Sequence, residues 1–168
     1  MQSKQHDLGA SLTRCLGLMP KLSLTPWCVR RLKRSVKMKG GCHCGAVSYE
    51  VTRLDSLGHC HCNTCRKTHS AAFATTGGVA RENFRWITGE NKLTAYESSP
   101  GKRRFFCSVC GSHVVAIRDG SPNVILRAAT LDDDPGLRPQ RHIWRSHDVP
   151  WLMEDAAIPS YPEWPPER

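Results

Sequence analysis

Apolar and polar positions alternate in short runs along this chain. In Ala46-Val47-Ser48-Tyr49-Glu50-Val51 the side chains of Val47, Tyr49 and Val51 share one face, the period of two that a half-buried strand requires. Phe84-Arg85-Trp86-Ile87, Val114-Val115-Ala116-Ile117 and Asn123-Val124-Ile125-Leu126 are further short runs rich in β-branched and aromatic residues, and they predict strands. Between them lie Thr88-Gly89-Glu90-Asn91, Ser98-Ser99-Pro100-Gly101 and Asp119-Gly120-Ser121-Pro122-Asn123, which accept turn geometry. No stretch after Met38 carries a long apolar stripe of period 3.6. The prediction is a mainly β fold of antiparallel strands, with short helical turns at most. Towards the C-terminus Trp144, Trp151, Tyr161 and Trp164 stand among prolines, a tail expected to wrap and close a small β core. Asp132-Asp133-Asp134 lacks the alternating ligands and turn glycine of a calcium loop and is read as a solvated acidic loop.

Charge changes the picture mainly at the N-terminus. The 168 residues carry a formal +9, but residues 1–37 hold eight Lys/Arg against the single acid Asp7. The remainder is close to neutral, with sixteen basic and fourteen acidic residues. The basicity therefore belongs to an extension, and the domain over residues 38–168 is not expected to bind nucleic acid. The extension includes Arg30-Arg31-Leu32-Lys33-Arg34, a run that superficially suits a transit or nuclear-localisation segment. It is expected to be disordered, or to be sequence translated from upstream of a true start at Met38. It has no apolar stretch of the length a secretory signal or membrane span needs. Clustered thiols without a signal peptide point to a reducing compartment, the cytoplasm, and to metal binding over disulfides.

Seven of the nine cysteines fall in three clusters: Cys42-His43-Cys44, Cys60-His61-Cys62-Asn63-Thr64-Cys65 and Cys107-Ser108-Val109-Cys110. Cys15 and Cys28 lie in the extension and are expected to bind nothing. Zinc takes four tetrahedral ligands, and cysteines one to four residues apart let a tight turn aim both sulfurs at one ion. Cys107 and Cys110, followed by Gly111, have that shape, and Cys42 and Cys44, followed by Gly45, supply the matching pair. These four are read as a closed structural zinc site. Cys60, Cys62 and Cys65 remain, three thiols that would leave one coordination position exchangeable, the arrangement of a catalytic zinc. The competing reading is a second closed site completed by His59, His61, His69 or His113. Neither CxxC is followed by His, which excludes haem attachment. A thioredoxin-type pair needs a βαβ context that is missing here, while ligand type alone leaves an iron–sulfur cluster open.

A metal on three thiolates favours a sulfur guest, and binding a thiol to it would deprotonate the thiol outright. The sulfur could then attack an aldehyde carbonyl or, in reverse, leave from a thiohemiacetal carbon. Arg66 and Lys67, and Lys102, Arg103 and Arg104, are the basic residues placed by sequence to hold substrate carboxylates. His142 and His147 are the candidate proton donors. A redox sensor that ejects metal on oxidation is a further reading of the three-thiol set.

The segments Gly41-Cys42-His43-Cys44-Gly45, Cys60-His61-Cys62-x-x-Cys65-Arg66-Lys67 and Phe106-Cys107-x-x-Cys110-Gly111-Ser112 resemble the glutathione-dependent formaldehyde-activating enzyme family, also called the centromere protein V family. Phe84-Arg85-Trp86-x-x-Gly89, Tyr96, Ser98-Ser99-Pro100-Gly101, Pro139-x-x-His142-Ile143-Trp144 and Trp151 look like it too, so the likeness runs from about Lys39 to about Trp151. It implies an Mss4-like fold of twisted antiparallel sheets stapled by zinc. It also implies two zinc ions per chain, one structural on Cys42, Cys44, Cys107 and Cys110 and one catalytic on Cys60, Cys62 and Cys65. The implied activity is carbon–sulfur lyase chemistry, the reference reaction joining glutathione and formaldehyde as S-(hydroxymethyl)glutathione. A small thiol and an aldehyde are then the partners. The alternative that the same resemblance carries is a non-catalytic, zinc-stabilised binding module of the centromere protein V type.

Overall fold

A computed structural model describes residues 37–152 and 158–165; the basic extension, with Cys15 and Cys28, lies outside them apart from Lys37. The period of two in the sequence becomes ten strands among the described residues. These are β1 (Met38–Gly41), β2 (Ser48–Val51), β3 (Ser56–Cys60), β4 (Ala74–Ala80), β5 (Phe84–Thr88), β6 (Leu93–Ser99), β7 (Lys102–Cys107), β8 (His113–Arg118), β9 (Asn123–Arg127) and β10 (His142–Ile143). One helix, α1 (Asn63–His69), follows β3. The four strands read from the pattern correspond to β2, β5, β8 and β9. The mainly β expectation holds, and the helical content is two turns of α1 and a few single 3-10 turns.

Strands β1, β2 and β5 form a small antiparallel sheet, and the other seven form a larger one in the order β10-β3-β4-β9-β8-β7-β6. Every pairing is antiparallel except that of β10 with β3. Side chains from both sheets meet in one core. Val47, just before the small sheet's central strand, and Tyr49 and Val51 on it pack with Val79, Val114, Val115, Val124 and Leu126 of the large one. Each such aliphatic side chain removed from water contributes roughly 1.5–3 kcal/mol. Tyr49 stacks on Phe84 at 5.3 Å, and its hydroxyl lies 2.8 Å from Thr130 Oγ1, so the one polar atom it brings inside is matched. Strand β8 buries Val114, Val115 and Ala116 in succession, as a strand covered on both faces must.

The turns are set locally. Gly89 adopts φ +70° just before a 3-10 turn, and a Cβ there would overlap the Ala46 carbonyl, so only glycine fits. Gly101, at φ +69°, closes the β6–β7 hairpin, where Glu97 Oε1 accepts the Gly101 N–H at 2.8 Å. In the acidic loop Asp133 accepts the backbone N–H of Lys39 at 2.7 Å, which pins the loop to β1.

The C-terminal tail closes on the β core as expected, though not with its rings. It closes the large sheet with backbone, through β10, and its aromatic rings stay outside: Trp144, Trp151, Tyr161 and Trp164 are all at least half exposed. The space between the sheets is already filled by aliphatic side chains and Tyr49, which leaves no apolar pocket for them. No helix among the described residues is long and apolar enough to cross a membrane.

Candidate active site

The four-thiol set is built by two turns of like construction. Cys42 and Cys44 sit in the turn between β1 and β2, where the Gly45 N–H reaches the Cys42 carbonyl at 3.1 Å. Cys107 ends β7, and the Gly111 N–H reaches its carbonyl at 2.9 Å. Gly45 and Gly111 take φ +75° and +74°, the left-handed conformation that brings each chain around its pair of sulfurs. Ser112 Oγ accepts the His43 N–H at 3.1 Å and so ties one turn to the other. All four sulfurs lie within 4.8 Å of one another, with Cys42–Cys44 at 3.5 Å and Cys44–Cys107 at 3.9 Å. Ligands about 2.3 Å from one tetrahedral zinc stand about 3.8 Å apart, so the sulfurs already outline such a shell.

Their electrostatics are divided, lowering Cys42 and Cys110 and raising Cys44. The Val47 N–H donates to Cys42 Sγ at 3.3 Å. The hydroxyl of Ser112, with the amides of Ser112 and Cys44, takes the Cys110 thiol down to about 5. The Ala46 amide acts to lower the Cys44 thiol, but competition with Cys110 and Cys42 raises it to about 11. Four thiols this close cannot all ionise without a cation between them.

The three-thiol set comes from one short segment. Cys60 ends β3, Cys62 caps α1 and Cys65 lies in its first turn. Cys62 has the extended backbone of an N-cap, and its sulfur accepts the Cys65 N–H at 3.3 Å. The three sulfurs lie within 4.8 Å of one another, and among the described residues no His, Asp or Glu ligand atom joins them at that spacing. The four histidines weighed as a fourth ligand lie away from the three sulfurs. His59 Nδ1 is 3.0 Å from Thr75 Oγ1. His61 is fully buried, with Nε2 2.9 Å from His142 Nδ1. Its Nδ1 faces Asp148 Oδ1 at 2.6 Å, off the ideal hydrogen-bond line, and neither atom has another partner. His69 and His113 stand edge to face at 4.8 Å beside a different cavity.

The three thiols open onto a cavity of about 390 Å³. Its wall adds Ser98, Lys102 and Arg104 from the β6–β7 hairpin, Arg118 at the end of β8, and Trp144 and His147 from the tail. Arg104 is only 2 % exposed; its Nε donates to Ser98 Oγ at 2.9 Å, and its Nη2 lies 3.8 Å from Cys65 Sγ. Burial pushes the Cys65 thiol up, but hydrogen bonds from Cys62, Cys60 and Arg104 outweigh it and hold Cys65 below the ordinary thiol value. Burial takes Cys60 up to about 12. Burial, followed by the nearby Arg104, also lowers Lys102. The cavity is thus cationic around a potential thiolate.

The basic residues singled out from sequence divide sharply. Lys102 and Arg104 face the thiols, while Arg103, on the opposite face of β7, pairs with Asp119 at 3.1 Å. Arg66 and Lys67 line a separate recess with Trp151, and Arg66 Nε donates to the His61 carbonyl at 3.3 Å. His147 lines the thiol cavity, but His142 belongs to the buried His61 pair. Sequence reasoning missed Arg118, which ends a strand far from any cysteine motif, and Arg127 on β9, whose 4 % exposure leaves it as buried as an aliphatic residue.

The loops of this small β protein gather two sets of thiols, either of which could hold a metal ion such as zinc. The chain belongs to the glutathione-dependent formaldehyde-activating enzyme family, whose sequence profile matches residues 37–147. It is similar to a Halomonas elongata protein named "Putative glutathione-dependent formaldehyde-activating enzyme", at 26 % identity over 141 residues, or 75 % of this chain and 89 % of that protein. It is also similar to a Rhodobacter sphaeroides protein of known crystal structure, at 30 % identity and a TM-score of 0.50, over 61 % of this chain and 92 % of the other.

Proposed function

We propose that this chain makes or breaks the carbon–sulfur bond of a thiol–aldehyde adduct such as S-(hydroxymethyl)glutathione, as a carbon–sulfur lyase with two zinc ions. Cys42, Cys44, Cys107 and Cys110 would hold the structural ion. Cys60, Cys62 and Cys65 would hold the catalytic one. The observation that carries the reading is the three-thiol set, which has no fourth protein ligand among the described residues and faces a cavity lined by Lys102, Arg104 and Arg118. When bound, the metal supplies a soft Lewis acid that keeps a guest thiol ionised at neutral pH.

The chain's own residues do the rest. Lys102 and Arg118 bind the carboxylates of a glutathione-like thiol and fix its sulfur over the cysteines. Arg104, buried against Cys65, keeps negative charge favourable at the cavity floor. Trp144, held at φ +64°, walls the cavity towards solvent and limits water. In the synthetic direction the thiolate sulfur attacks the aldehyde carbon, the carbon–sulfur bond forms, and the π pair moves to oxygen, which takes a proton. His147 on the wall is the group placed to deliver it. In the lytic direction the hydroxyl loses that proton, the carbon–oxygen double bond re-forms, and the bonding pair departs on sulfur. The seven described cysteines are all free thiols, which suits a reducing, cytoplasmic setting.

The test is exchange between free formaldehyde and S-(hydroxymethyl)glutathione, followed by NMR with the zinc-loaded chain. Acceleration by the native chain and its loss in Cys62→Ser are expected. Equal exchange rates with and without protein would overturn the reading.

A further inference from the structure

Beyond the thiol cavity lies a second one, of about 510 Å³, between the end of α1 and the strands β4, β8 and β9. Its wall combines Arg127 of β9, His69 of α1 and His113 of β8 with the hydroxyl residues Thr75, Ser112 and Thr130. Arg127 is 4 % exposed, yet its Nε and Nη2 have no hydrogen-bond acceptor. His69 Nε2 and His113 Nδ1 are likewise buried without partners. Among the described residues no carboxylate forms an ion pair with Arg127. Four unpartnered buried nitrogens around one cavity are costly, because each has given up water without receiving an acceptor.

We propose that this cavity is a binding site for a small oxyanion, a carboxylate or a phosphate group, gripped by the fork of Arg127 and by His69 and His113. The donor set fits that class. A planar guanidinium matches two oxygens of one anion, imidazole N–H groups add donors from the side, and the Ser112 hydroxyl, which accepts the His43 N–H, can donate to a remaining oxygen. An apolar guest would leave all four nitrogens unmatched, and the fixed charge of Arg127 opposes a cationic one. The site is distinct from the thiol cavity, since the two walls share no residue. Burial, then the charge of Arg127, holds the His69 imidazole down to about 3, so in the empty cavity it is a neutral group that an anion would favour as a donor.

The competing explanation is that Arg127 serves only as a distant counter-charge for Cys60, Cys62 and Cys65. Calorimetric titration of the zinc-loaded full chain with inorganic phosphate, and separately with succinate, in a chloride background separates the two. Saturable binding of at least one is expected, and the preferred arm names the anion. Arg127→Met, close in volume, should weaken it by about tenfold to a hundredfold, the usual worth of hydrogen bonds to a charged group. His69→Gln should weaken it less, and both variants should retain two zinc ions. Three results would overturn the proposal: no saturable binding of either anion, binding unchanged in both variants, or loss of zinc from Arg127→Met without any anion effect. Binding abolished by Lys102→Met and untouched by Arg127→Met would place the ion among the thiols and also refute it. Because the titration contains no aldehyde, its failure leaves the lyase reading intact, and failure of turnover leaves this one intact.

Discussion

Replacing one cysteine in each thiol set by serine should give two different proteins. Cys107 is fully buried, and its set links the β1–β2 turn to the β7–β8 turn across 62 residues between Cys44 and Cys107. Structural zinc contributes on the order of 10 kcal/mol in small domains, against a whole net stability of about 5–15 kcal/mol. Cys107→Ser should therefore lose cooperative folding. Cys62, by contrast, belongs to a set spanning only Cys60 to Cys65. Closing the longer loop costs about 2 kcal/mol more in chain entropy than closing the four residues between Cys60 and Cys65, so much less tertiary order depends on the short set. Serine is also among the best N-caps, and at position 62 its oxygen can accept the Cys65 N–H that the sulfur now accepts at 3.3 Å. Cys62→Ser should stay folded to within about 1 kcal/mol, with bound zinc falling from two ions to one. Urea unfolding followed by circular dichroism, with zinc counted by atomic emission, reads both quantities. A Cys107→Ser chain that melts cooperatively with one zinc, or a Cys62→Ser chain that does not melt at all, would refute the division into a closed and an open set.

Three further outcomes follow from named contacts. Lys102→Met should raise KM for an acidic thiol about tenfold while leaving kcat within a factor of two, because losing one charge-assisted contact weakens ground and transition states alike; a fall confined to kcat would contradict its role as a carboxylate anchor. Gly89→Ala should cost more than about 2 kcal/mol in a urea melt, since φ +70° and the Ala46 carbonyl both exclude a side chain, and a neutral result would show that this turn can yield. His69, depressed from 6.5 to about 3 chiefly by burial and then by Arg127, takes up a proton more readily in the unfolded chain. Stability should thus fall as pH drops below about 6.5, by about 1 kcal/mol between pH 7 and 5 once partial exposure is discounted. His69→Gln should remove that increment from the difference in urea melts at the two pH values, and an identical pH slope in both chains would contradict it.

Legibility in the sequence followed locality. Strands β2, β5, β8 and β9 could be read because β-branched and aromatic residues alternate or cluster there. The cysteine spacings likewise carried both thiol groupings, since each pair or trio lies within a few residues. Strand β4, Ala74–Ala80, was hidden because its Thr75-Thr76-Gly77-Gly78 centre has no apolar alternation; at Gly77 the Leu54 side chain packs close against the backbone. Strand β3 contains Gly58, which is crowded by the Arg141 backbone where the tail runs beside it. The tail was expected to wrap and close the β core; it does so through the backbone of β10, while its aromatic rings stay exposed. Arg118 and Arg127 could not be found from pattern at all. Each becomes part of a site only when the large sheet sets β8 and β9 beside strands distant in the chain.

Strand β7, Lys102–Cys107, shows why the site itself resisted reading. Lys-Arg-Arg-Phe-Phe-Cys looks like a basic run followed by an apolar one, yet the period of two sorts it cleanly. Lys102 and Arg104 face the three thiols, while Phe105 and Cys107 face the core and the four-thiol set. Both faces are covered, one by a polar cavity and one by apolar side chains, so the usual contrast between a wet and a dry face disappears. The same alternation couples the two thiol sets mechanically. Cys107 ends the strand that carries Arg104, so whatever fixes the four sulfurs also fixes the register that puts a buried guanidinium 3.8 Å from Cys65. A slip of one residue would bring Arg103 or Phe105 to the thiols in its place. In this arrangement the four-thiol set and the three-thiol set meet through one strand, and the register of β7 decides which of its side chains the three thiols face.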